Sequence, residues 1–356
     1  MDGILSVDVS AYTIPTESPE SDGTLEWDST TLVLVRVRAR GSEGLGYTYA
    51  HAATAYYIHK ALVPLLIGKD PFDIPARRND MIRHIRNQGE AAIAMMGVSA
   101  VDIALWDWKA RALGLPLCRL LGQARCSMPL YGSGGFTSMP DEDLARQLGG
   151  WVLGGLAAVK IKVGRGNDTH RVQVAREAVG QRTALYVDAN GAYNAKQALH
   201  YARLWEEQGV EWFEEPVPSD YLDNLRLIRS QTPMKIAAGE YGYRASYFQA
   251  IAGSVDVLQA DATRCGGISG FLEAGHLCAG RGLLFSSHCA PSAHLHATLS
   301  LPEFYCAEYF ADHVRVEKML FDSSAIVSNG SLAPDLSRPG LGISFKEKDA
   351  AAFKVL

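Results

Sequence analysis

Residues 184–216 read ALYVDANGAYNAKQALHYARLWEEQGVEWFEEP, and this stretch decides the fold. It begins with ALYVDAN and ends with WFEEP, two short apolar segments rich in β-forming residues. Between them lies AKQALHYARLWEEQG, in which apolar residues recur at helical spacing. A strand, a helix and a second strand in this order predict one β–α–β unit of a parallel sheet.

The same strand-then-helix pattern extends outward from this unit. Six further segments rich in β-formers flank it: PLYGS (129–133), AVKIKV (158–163), KIAAGE (235–240), VLQADAT (257–263), LLFSSH (283–288) and CAEYF (306–310). The segments recur about every 20–29 residues, and six of the seven intervals hold a helix-like stretch. Eight such repeats predict a (β/α)₈ barrel. A doubly wound sheet is the alternative, but it usually has fewer units and a glycine-rich phosphate turn.

The first third of the chain has an α+β character. Residues 3–12 and 31–39 alternate apolar with polar side chains, which predicts two half-buried strands. The segment between them, 13–30, is rich in Pro, Ser and acidic residues and predicts a mobile loop, and GSEGLGYTYAH (41–51) predicts a glycine-rich turn. Three helices are expected at roughly 51–67, 73–88 and 92–113.

The length of 356 residues suggests about two domains. We expect an N-terminal α+β domain over 1–125, the barrel over 126–320, and a C-terminal segment, 321–356, that returns to the first domain. A net charge of -5 does not favour nucleic acid or an anionic membrane as a partner. No apolar run reaches the roughly 20 residues that span a bilayer, and no signal peptide is visible. The six cysteines form no CxxC pair, which predicts reduced thiols in a cytoplasmic protein.

Most of the predicted strands end on ionisable residues. In a barrel, the carboxyl ends of all strands face one mouth, where active sites lie. Asp188, Glu214 and Glu240 end three consecutive strands. Carboxylates that close repel one another unless a cation lies among them, and Mg²⁺ is the usual ion with oxygen ligands. The alternative is three unrelated helix caps or salt bridges.

Two lysines and one histidine are candidates for proton transfer at the same mouth. Lys160 and Lys162 are two residues apart on a strand and therefore point to the same side. Each ammonium group, together with a metal, should lower the pKa of the other, which would make a lysine a competent base. The alternative is that one lysine is a surface residue. Asp261 and His288 lie at the ends of neighbouring strands, so the carboxylate would fix the tautomer of the imidazole.

Three further residues carry weaker signals. Cys289 lies beside His288, but nothing indicates an oxyanion hole, so we expect a core thiol rather than a nucleophile. His294 and His296 form an HxH pair that we interpret as helix residues rather than metal ligands.

In combination these motifs resemble the mandelate racemase subgroup of the enolase superfamily. The resemblance covers nearly the whole chain and rests on KIK (160–162), VDAN (187–190), FEEP (213–216), AAGE (237–240), QADATRCGG (259–267), SSHCAP (286–291) and AEYF (307–310). It implies an α/β fold, a modified TIM barrel of the (β/α)₇β type with an N-terminal α+β capping domain. Two loops of the cap, here 13–30 and 44–56, would close over the substrate.

The resemblance also implies a set of functional residues. One Mg²⁺ per subunit would be bound by Asp188, Glu214 and Glu240. Lys162 would be one base, and His288, oriented by Asp261, would be the other base on the opposite face of the substrate. Asp261 stands where the muconate-cycloisomerase and dipeptide-epimerase branches carry a lysine, which disfavours those branches.

Other residues would contact the substrate. Lys160 and Glu308 would stabilise the substrate carboxylate as it becomes an enediolate. Asn190 would contact a substrate hydroxyl, and Trp27 and His51 of the cap are further candidate contacts.

The reaction that the resemblance implies begins with abstraction of the α-proton of a carboxylate. Loss of a β-hydroxyl would follow in a dehydratase, and dehydration of a sugar acid (an aldonate or aldarate) to a 2-keto-3-deoxy acid is our first expectation. Return of a proton to the other face would give a racemase or epimerase of a 2-hydroxy acid, and cycloisomerisation of a sugar lactone is a third outcome. A barrel recruited for a structural or binding role is the non-enzyme alternative. The family tends to form homo-oligomers, either dimers or octamers.

Overall fold

An antiparallel sheet opens the chain, with strands β1 (Ile4–Ser21), β2 (Glu26–Ala39) and β3 (Ser42–Tyr49) in that order. The structure, a computed structural model, describes residues 3–323 and 325–356. The glycine-rich segment 41–51, which the sequence predicts as a turn, is mostly strand β3. Its glycines allow close packing, because a Cβ on Gly46 would lie 2.1 Å from the carbonyl oxygen of Ala100 on the helix beneath.

The prediction of a mobile loop over 13–30 is wrong. β1 and β2 continue through this segment as a hairpin, in which Glu20 faces Trp27, and the prolines are accommodated by a shift in register before Glu20. Asp22 closes the turn by accepting a hydrogen bond from the backbone N–H of Leu25 at 2.7 Å. Many side chains of the hairpin arms are exposed or half-buried, so its polar composition resembles that of a loop.

Helices of the N-terminal region pack against one face of this sheet. Within residues 53–121, all of which are described, the α-helices are α1 (Ala53–Tyr57), α2 (Val63–Leu66), α3 (Ile74–Ile85), α4 (Met95–Ala112) and α5 (Leu117–Leu121). A π-helical turn, Ile58–Leu62, joins α1 to α2. The stretch Glu90–Ala112 is long and apolar enough to cross a membrane, but 72% of its most apolar window is buried, with α4 between β3 and the barrel.

A closed parallel barrel follows. Over residues 128–310, all described, its strands are β4 (Met128–Gly134), β5 (Ala158–Lys162), β6 (Ala184–Asp188), β7 (Val210–Glu214), β8 (Lys235–Ala238), β9 (Val257–Ala260), β10 (Leu284–Ser287) and β11 (Phe304–Phe310). Pairing of β11 with β4 closes the ring.

Helices alternate with these strands on the outside of the barrel. They are α6 (Asp141–Leu153), α7 (Asp168–Val179), α8 (Ala195–Glu206), α9 (Leu222–Gln231), α10 (Ala245–Ile251), α11 (Gly267–Arg281) and α12 (Pro291–Thr298). The predicted (β/α)₇β barrel with an N-terminal α+β domain is therefore confirmed. The proposed domain boundary at residues 125 and 126 lies between α5 and β4.

The C-terminal segment returns to the N-terminal domain. It follows α13 (Ala311–Leu320), and its elements are β12 (Phe321–Ser323), β13 (Ile326–Ser328), β14 (Ser331–Ala333), β15 (Ile343–Phe345), α14 (Glu347–Ala350) and a 3₁₀ turn, Ala351–Phe353. The backbone N–H of Val355 donates to the carbonyl oxygen of Ala11 at 2.9 Å, and the ring of Phe345 contacts Tyr12.

The interior of the barrel has two unlike halves. Toward the amino ends of the strands lies an apolar layer, formed by Tyr131, Ala158, Tyr186, Trp212, Ala237, Val257 and Cys306. The rings of Tyr186 and Trp212 stack with centroids 4.9 Å apart. Because side chains alternate along a strand, the next inward residue on each strand lies at the mouth. The layer therefore forms the floor beneath the candidate site.

Candidate active site

Three carboxylates meet at the barrel mouth, as the strand ends predicted. Asp188 and Glu214 are the last residues of β6 and β7, and Glu240 follows β8. All three are buried, and one carboxylate oxygen from each lies within 4.8 Å of the corresponding oxygens of the other two. Oε2 of Glu240 is buried without a hydrogen-bond partner in the described chain. A hard divalent cation would satisfy that oxygen and offset the repulsion among the carboxylates, so these residues fit Mg²⁺.

A fourth carboxylate, Glu215, lies beside this cluster and had no predicted role. Its backbone adopts the left-handed region at φ 37°, which is uncommon outside glycine. Burial raises the pKa of Glu215 well above its usual value, and the charges of Glu240 and Asp188 add to the shift. Burial also raises the pKa of Glu214. Without a further positive charge these buried carboxyl groups therefore favour the protonated form, and a bound cation would stabilise their ionised forms.

Both strand lysines point into the barrel. Nζ of Lys162 donates to Oδ2 of Asp188 at 2.6 Å. Nζ of Lys160 lies 2.7 Å from Oε1 of Glu308 and also contacts Glu214. Burial lowers the pKa of Lys162 and so does Lys160, but the combined attraction of Asp188, Glu308 and Glu240 outweighs both, so the pKa lies above its usual value. The predicted lowering is therefore wrong for the protein groups alone, because carboxylates outnumber ammonium groups around them.

His288 and Asp261 form the predicted pair. They follow the neighbouring strands β10 and β9, and Nδ1 of His288 lies 2.9 Å from Oδ2 of Asp261. Burial raises the pKa of Asp261, but the hydrogen bond and charge of His288 lower it more, so the pKa lies below its usual value. The ionised carboxylate holds Nδ1, and Nε2 is left facing the mouth, 3.4 Å from Oε2 of Glu240.

Arg264 is a residue of this site that the strand ends did not reveal. Its Nη1 donates to the backbone oxygen and to Oε1 of Glu240 at 3.3 and 3.4 Å, and its Nε lies 3.7 Å from Asp261. It therefore joins the carboxylate cluster to the histidine pair. Arg264 lies in the turn after β9, three residues beyond the last inward position, where a rule based on strand ends has no signal.

Glu308 lies on β11 and faces the other strands of the mouth. It accepts hydrogen bonds from Oγ of Ser133 at 2.6 Å and from the backbone N–H of Cys289 at 2.8 Å. Burial raises the pKa of Glu308, but Lys160 and His288 outweigh burial and hold the pKa well below its usual value. Glu308 is therefore an ionised acceptor that positions Lys160. Ser133 is uncharged and gave no sequence signal.

The tip of the capping hairpin lies over the mouth. The ring of Trp27 packs edge-on against Phe136 at 5.6 Å and belongs to a small cluster with Cys289 and Phe310. Its Nε1 donates to Oε2 of Glu20 at 2.9 Å. Trp27, which the sequence predicts as a substrate contact, therefore lies beside residues of the site.

The second predicted cap loop, 44–56, is not an open loop. Its first part is strand β3, in which Tyr47 is buried and donates to Oε1 of Glu317 on α13 at 2.5 Å. His51 is exposed, and its Nδ1 accepts a hydrogen bond from the backbone N–H of Ala53 at the start of α1, which is a local contact.

Asn190 lies just beyond Asp188 in the left-handed region, at φ 46°. Its backbone N–H donates to Oδ1 of Asp188 at 2.9 Å, while its own Oδ1 is buried without a protein partner in the described chain. An amide oxygen that lacks a partner next to the carboxylates is well placed for a substrate hydroxyl.

The two histidines of the HxH pair are helix residues, as expected. His294 and His296 are buried in α12. Nε2 of His294 accepts from the backbone N–H of Ala262 at 2.7 Å, and Nδ1 of His296 accepts from that of Cys118 at 3.2 Å. Each imidazole therefore accepts a hydrogen bond from a backbone N–H group, which is a structural role.

Comparison with protein families matches nearly the whole chain. Residues 10–122 match the family described as mandelate racemase / muconate lactonizing enzyme, N-terminal domain. Residues 143–350 match the family described as enolase C-terminal domain-like. The L-talarate/galactarate dehydratase of Salmonella typhimurium is 30% identical over 363 residues, which cover 98% of this chain and 90% of the dehydratase.

Solved structures agree with these matches. A mandelate racemase/muconate lactonizing enzyme-like protein from Rubrobacter xylanophilus has a TM-score of 0.97 and 47% identity, covering 99% of this chain and 100% of that chain. A racemase from Streptomyces coelicolor, solved with bound magnesium, has a TM-score of 0.93 and 30% identity, with the same coverage.

Proposed function

The chain belongs to the mandelate racemase/muconate lactonizing enzyme family of the enolase superfamily, and on that premise we propose that it is a Mg²⁺-dependent dehydratase of an aldonate or aldarate. One observation carries the proposal: two proton-transfer groups flank one carboxylate cluster, Lys162 at 2.6 Å from Asp188 and His288 at 3.4 Å from Glu240. The 30% identity to a sugar-acid dehydratase over 98% of the chain supports the choice of reaction.

Asp188, Glu214 and Glu240 would hold the ion. Bound Mg²⁺ supplies positive charge to the substrate carboxylate, whose α-proton is very weakly acidic because its removal leaves a dianion. The ammonium group of Lys160, which forms an ion pair with Glu308, would donate a hydrogen bond to the same substrate carboxylate and stabilise its negative charge.

Lys162 and His288 divide the proton transfers. Lys162 must be a neutral amine to take the α-proton and leave an enediolate; Mg²⁺ bound to Asp188 and Glu240 would offset the negative charge that otherwise raises the pKa of Lys162. His288 gives the proton on Nε2 to the departing β-hydroxyl, while Asp261 stabilises the imidazolium before transfer. One C–H and one C–O bond break, water leaves, and the enol product tautomerises to the 2-keto-3-deoxy acid. Asn190 would bind a substrate hydroxyl, and the ring of Trp27 would form one wall of the substrate pocket.

A racemase or epimerase of a 2-hydroxy acid is the second candidate. The placement of Lys162 and His288 at two different carboxylates favours it, because each group would serve one face of the substrate. The racemase from Streptomyces coelicolor supports this alternative. The two reactions share the first proton transfer and differ only in what leaves or returns afterwards.

The decisive experiment incubates the protein with Mg²⁺ and a library of aldonates and aldarates in D₂O. Formation of a 2-keto-3-deoxy acid supports the dehydratase, and exchange or inversion at the α-carbon without loss of water supports the racemase. Absence of both with every acid tested would contradict the enzyme proposal. A cytoplasmic homo-oligomer remains a prediction, and sedimentation would measure its size.

A further inference from the structure

A second set of metal-ligating atoms lies at the mouth beside the three carboxylates. Nε2 of His288, Sγ of Cys289 and Oε2 of Glu308 all lie within 4.8 Å of one another and belong to buried residues. Sγ is 3.2 Å from Nε2 and 3.5 Å from Oε2, and Nε2 is 3.8 Å from Oε2. The proposed reaction leaves the thiol without a task.

These separations match the edges of a tetrahedral zinc site. Bonds of about 2.3 Å to sulfur and about 2.0–2.2 Å to nitrogen and oxygen place the ligand atoms roughly 3.4–3.6 Å apart. The three observed distances of 3.2, 3.5 and 3.8 Å bracket that range. Shifts of a few tenths of an ångström would therefore bring all three atoms onto one ion.

We propose that His288, Cys289 and Glu308 bind a thiophilic divalent cation of the zinc type, distinct from Mg²⁺, with a fourth position open to water. Sulfur and imidazole ligands select such ions, whereas carboxylates alone suit Mg²⁺. Three protein ligands and one open position are an established arrangement for zinc.

Neighbouring groups hold two of the ligands, and an uncommon turn conformation carries the third. Asp261 holds Nδ1 of His288 at 2.9 Å, which is the carboxylate–histidine arrangement that supports metal-bound imidazoles. The backbone N–H of Cys289 fixes Oε2 of Glu308 at 2.8 Å, and Ser133 holds its other oxygen. Cys289 and Ala290 both have positive φ, 50° and 39°, an uncommon pair of non-glycine conformations in the turn that carries the thiol.

Metal binding would release one proton from the site. The Sγ–H bond breaks, its proton goes to solvent, and the sulfur–metal bond forms without a change of oxidation state. The thiolate offsets one positive charge of the ion, and Oε2 of Glu308, whose Oε1 pairs with Lys160, provides a further anionic ligand.

Binding would block the reaction. The ion would occupy Nε2 of His288, which is the atom that transfers the proton in the proposed dehydration. Zinc-type ions should therefore inhibit turnover in competition with the acid substrate. This consequence rests on the proposed function, whereas binding itself does not.

Cobalt(II) tests binding without any substrate. With Mg²⁺ in large excess to saturate the carboxylate cluster, Co²⁺ should produce a thiolate-to-cobalt charge-transfer absorption with one equivalent bound. Cys289→Ser should lose this absorption, and Cys126→Ser, which removes an exposed thiol, should keep it. No absorption in the wild-type protein, or equal absorption in Cys289→Ser, overturns the proposal. If Cys289→Ser does not fold, X-ray absorption of the zinc-loaded wild type decides, with one sulfur expected at about 2.3 Å.

Inhibition gives a second readout. Cys289→Ser should require at least about tenfold more Zn²⁺ for half-inhibition, since even residues that only support a ligand change metal affinity by that factor. Equal sensitivity of the two proteins would place the inhibitory ion on the carboxylates and overturn the inhibitory role. If no acid is turned over but the cobalt absorption is present, the proposed function fails and the site stands.

Discussion

The apolar floor and the charged mouth of the barrel are built on the same strands. Tyr186 and Asp188 are two residues apart on β6, and Trp212 and Glu214 repeat this relation on β7. The first of each pair belongs to the stacked floor, and the second belongs to the mouth. Burying aromatic surface stabilises the fold, whereas burying charges costs free energy unless they are paired. The difference indicates that one half serves stability and the other serves chemistry.

Two contacts join the halves. Nε1 of Trp212 donates to Oε2 of Glu214 at 3.1 Å. Nζ of Lys160 lies 5.5 Å from the centre of the Tyr131 ring, where the negative face of the ring attracts a cation. The floor therefore also orients charged groups above it, and substitutions can separate this role from simple packing.

The largest expected effect is on turnover, at the mouth. His288→Asn and Lys162→Ala should each lower kcat/KM by about 10²–10⁴, because each removes a proton-transfer group. Mg²⁺ affinity should stay near the wild-type value, since neither residue is a proposed ligand of Mg²⁺. Steady-state kinetics and Mg²⁺ titration measure the two quantities.

Matched controls exist on the outer face of α8. His200→Asn and Lys196→Ala replace exposed residues of the same types and should leave kcat/KM unchanged. Full activity of His288→Asn would show that the assignment of two bases is wrong.

The second effect is on stability, at the floor. Tyr186→Ala should lower the free energy of unfolding by about 3–5 kcal/mol, because it opens a cavity beside the Trp212 ring. Tyr186→Phe keeps the stacked ring and should lose much less. Urea unfolding measures both. If Tyr186→Ala instead weakens Mg²⁺ binding more than it weakens the fold, the two halves do not divide the tasks as described.

The third effect joins chemistry to stability through the ion. At a Mg²⁺ concentration about 100 times the Kd, the free energy of unfolding should rise by about 2.7 kcal/mol, because the ion binds only the folded cluster. Glu240→Gln should remove most of this gain. Glu211→Gln, an exposed residue of β7, is the control and should keep it. Unfolding curves with Mg²⁺ and with chelator would reveal equal stability if the cluster does not bind the ion.

The sequence predicts the mouth better than it predicts the cap, for physical reasons. Strand-end positions follow from the alternation of side chains and from the closure of a parallel barrel, so Asp188 and His288 could be placed from the repeat alone. The pairing of Asp261 with His288 follows from adjacent strands. These inferences need only backbone geometry that the repeat determines.

Features that depend on side-chain partners could not be predicted in the same way. The pKa of Lys162 depends on the position of Asp188, which the strand pattern places only to within the mouth. Arg264 reaches the site from a turn, where no periodic pattern exists. The hairpin over 13–30 has the composition of a loop, because many of its side chains remain in contact with solvent.

The fourth effect tests the contact between the halves. Trp212→Phe keeps an aromatic ring in the floor but removes the N–H that holds Glu214. We expect Mg²⁺ affinity to fall by roughly tenfold, as for other residues that support a metal ligand, with a stability change of about 1 kcal/mol. Trp205→Phe is the matched control, since its Nε1 has no partner in the described chain. Unchanged Mg²⁺ affinity in Trp212→Phe would show that the floor contributes packing but does not orient Glu214.

The smallest effect concerns Glu20, a carboxylate of the capping hairpin above the mouth. Burial raises the pKa of Glu20 to about 8, and the charge of Asp312 adds to the shift, while the hydrogen bond from Trp27 opposes it. Because the folded pKa lies above the ordinary 4.5, the folded state binds the proton more tightly than the unfolded chain. Stability from this group is complete below pH 4.5 and is lost as the pH rises toward about 8.

Glu20→Gln should therefore flatten that decline and raise the free energy of unfolding near pH 8 by on the order of 1 kcal/mol. Asp28→Asn, an exposed residue of the paired strand β2 whose charge does not contribute to the shift of Glu20, should leave the decline unchanged. Urea unfolding at a series of pH values measures the slope. A flatter dependence of the free energy of unfolding on pH would show that the surroundings of Glu20 favour its neutral form. Glu20 would then resemble the apolar floor in this respect, although it lies over the mouth. Parallel curves for the wild type and Glu20→Gln would show that the hairpin leaves the carboxylate hydrated, and burial of charge would then be confined to the strand ends.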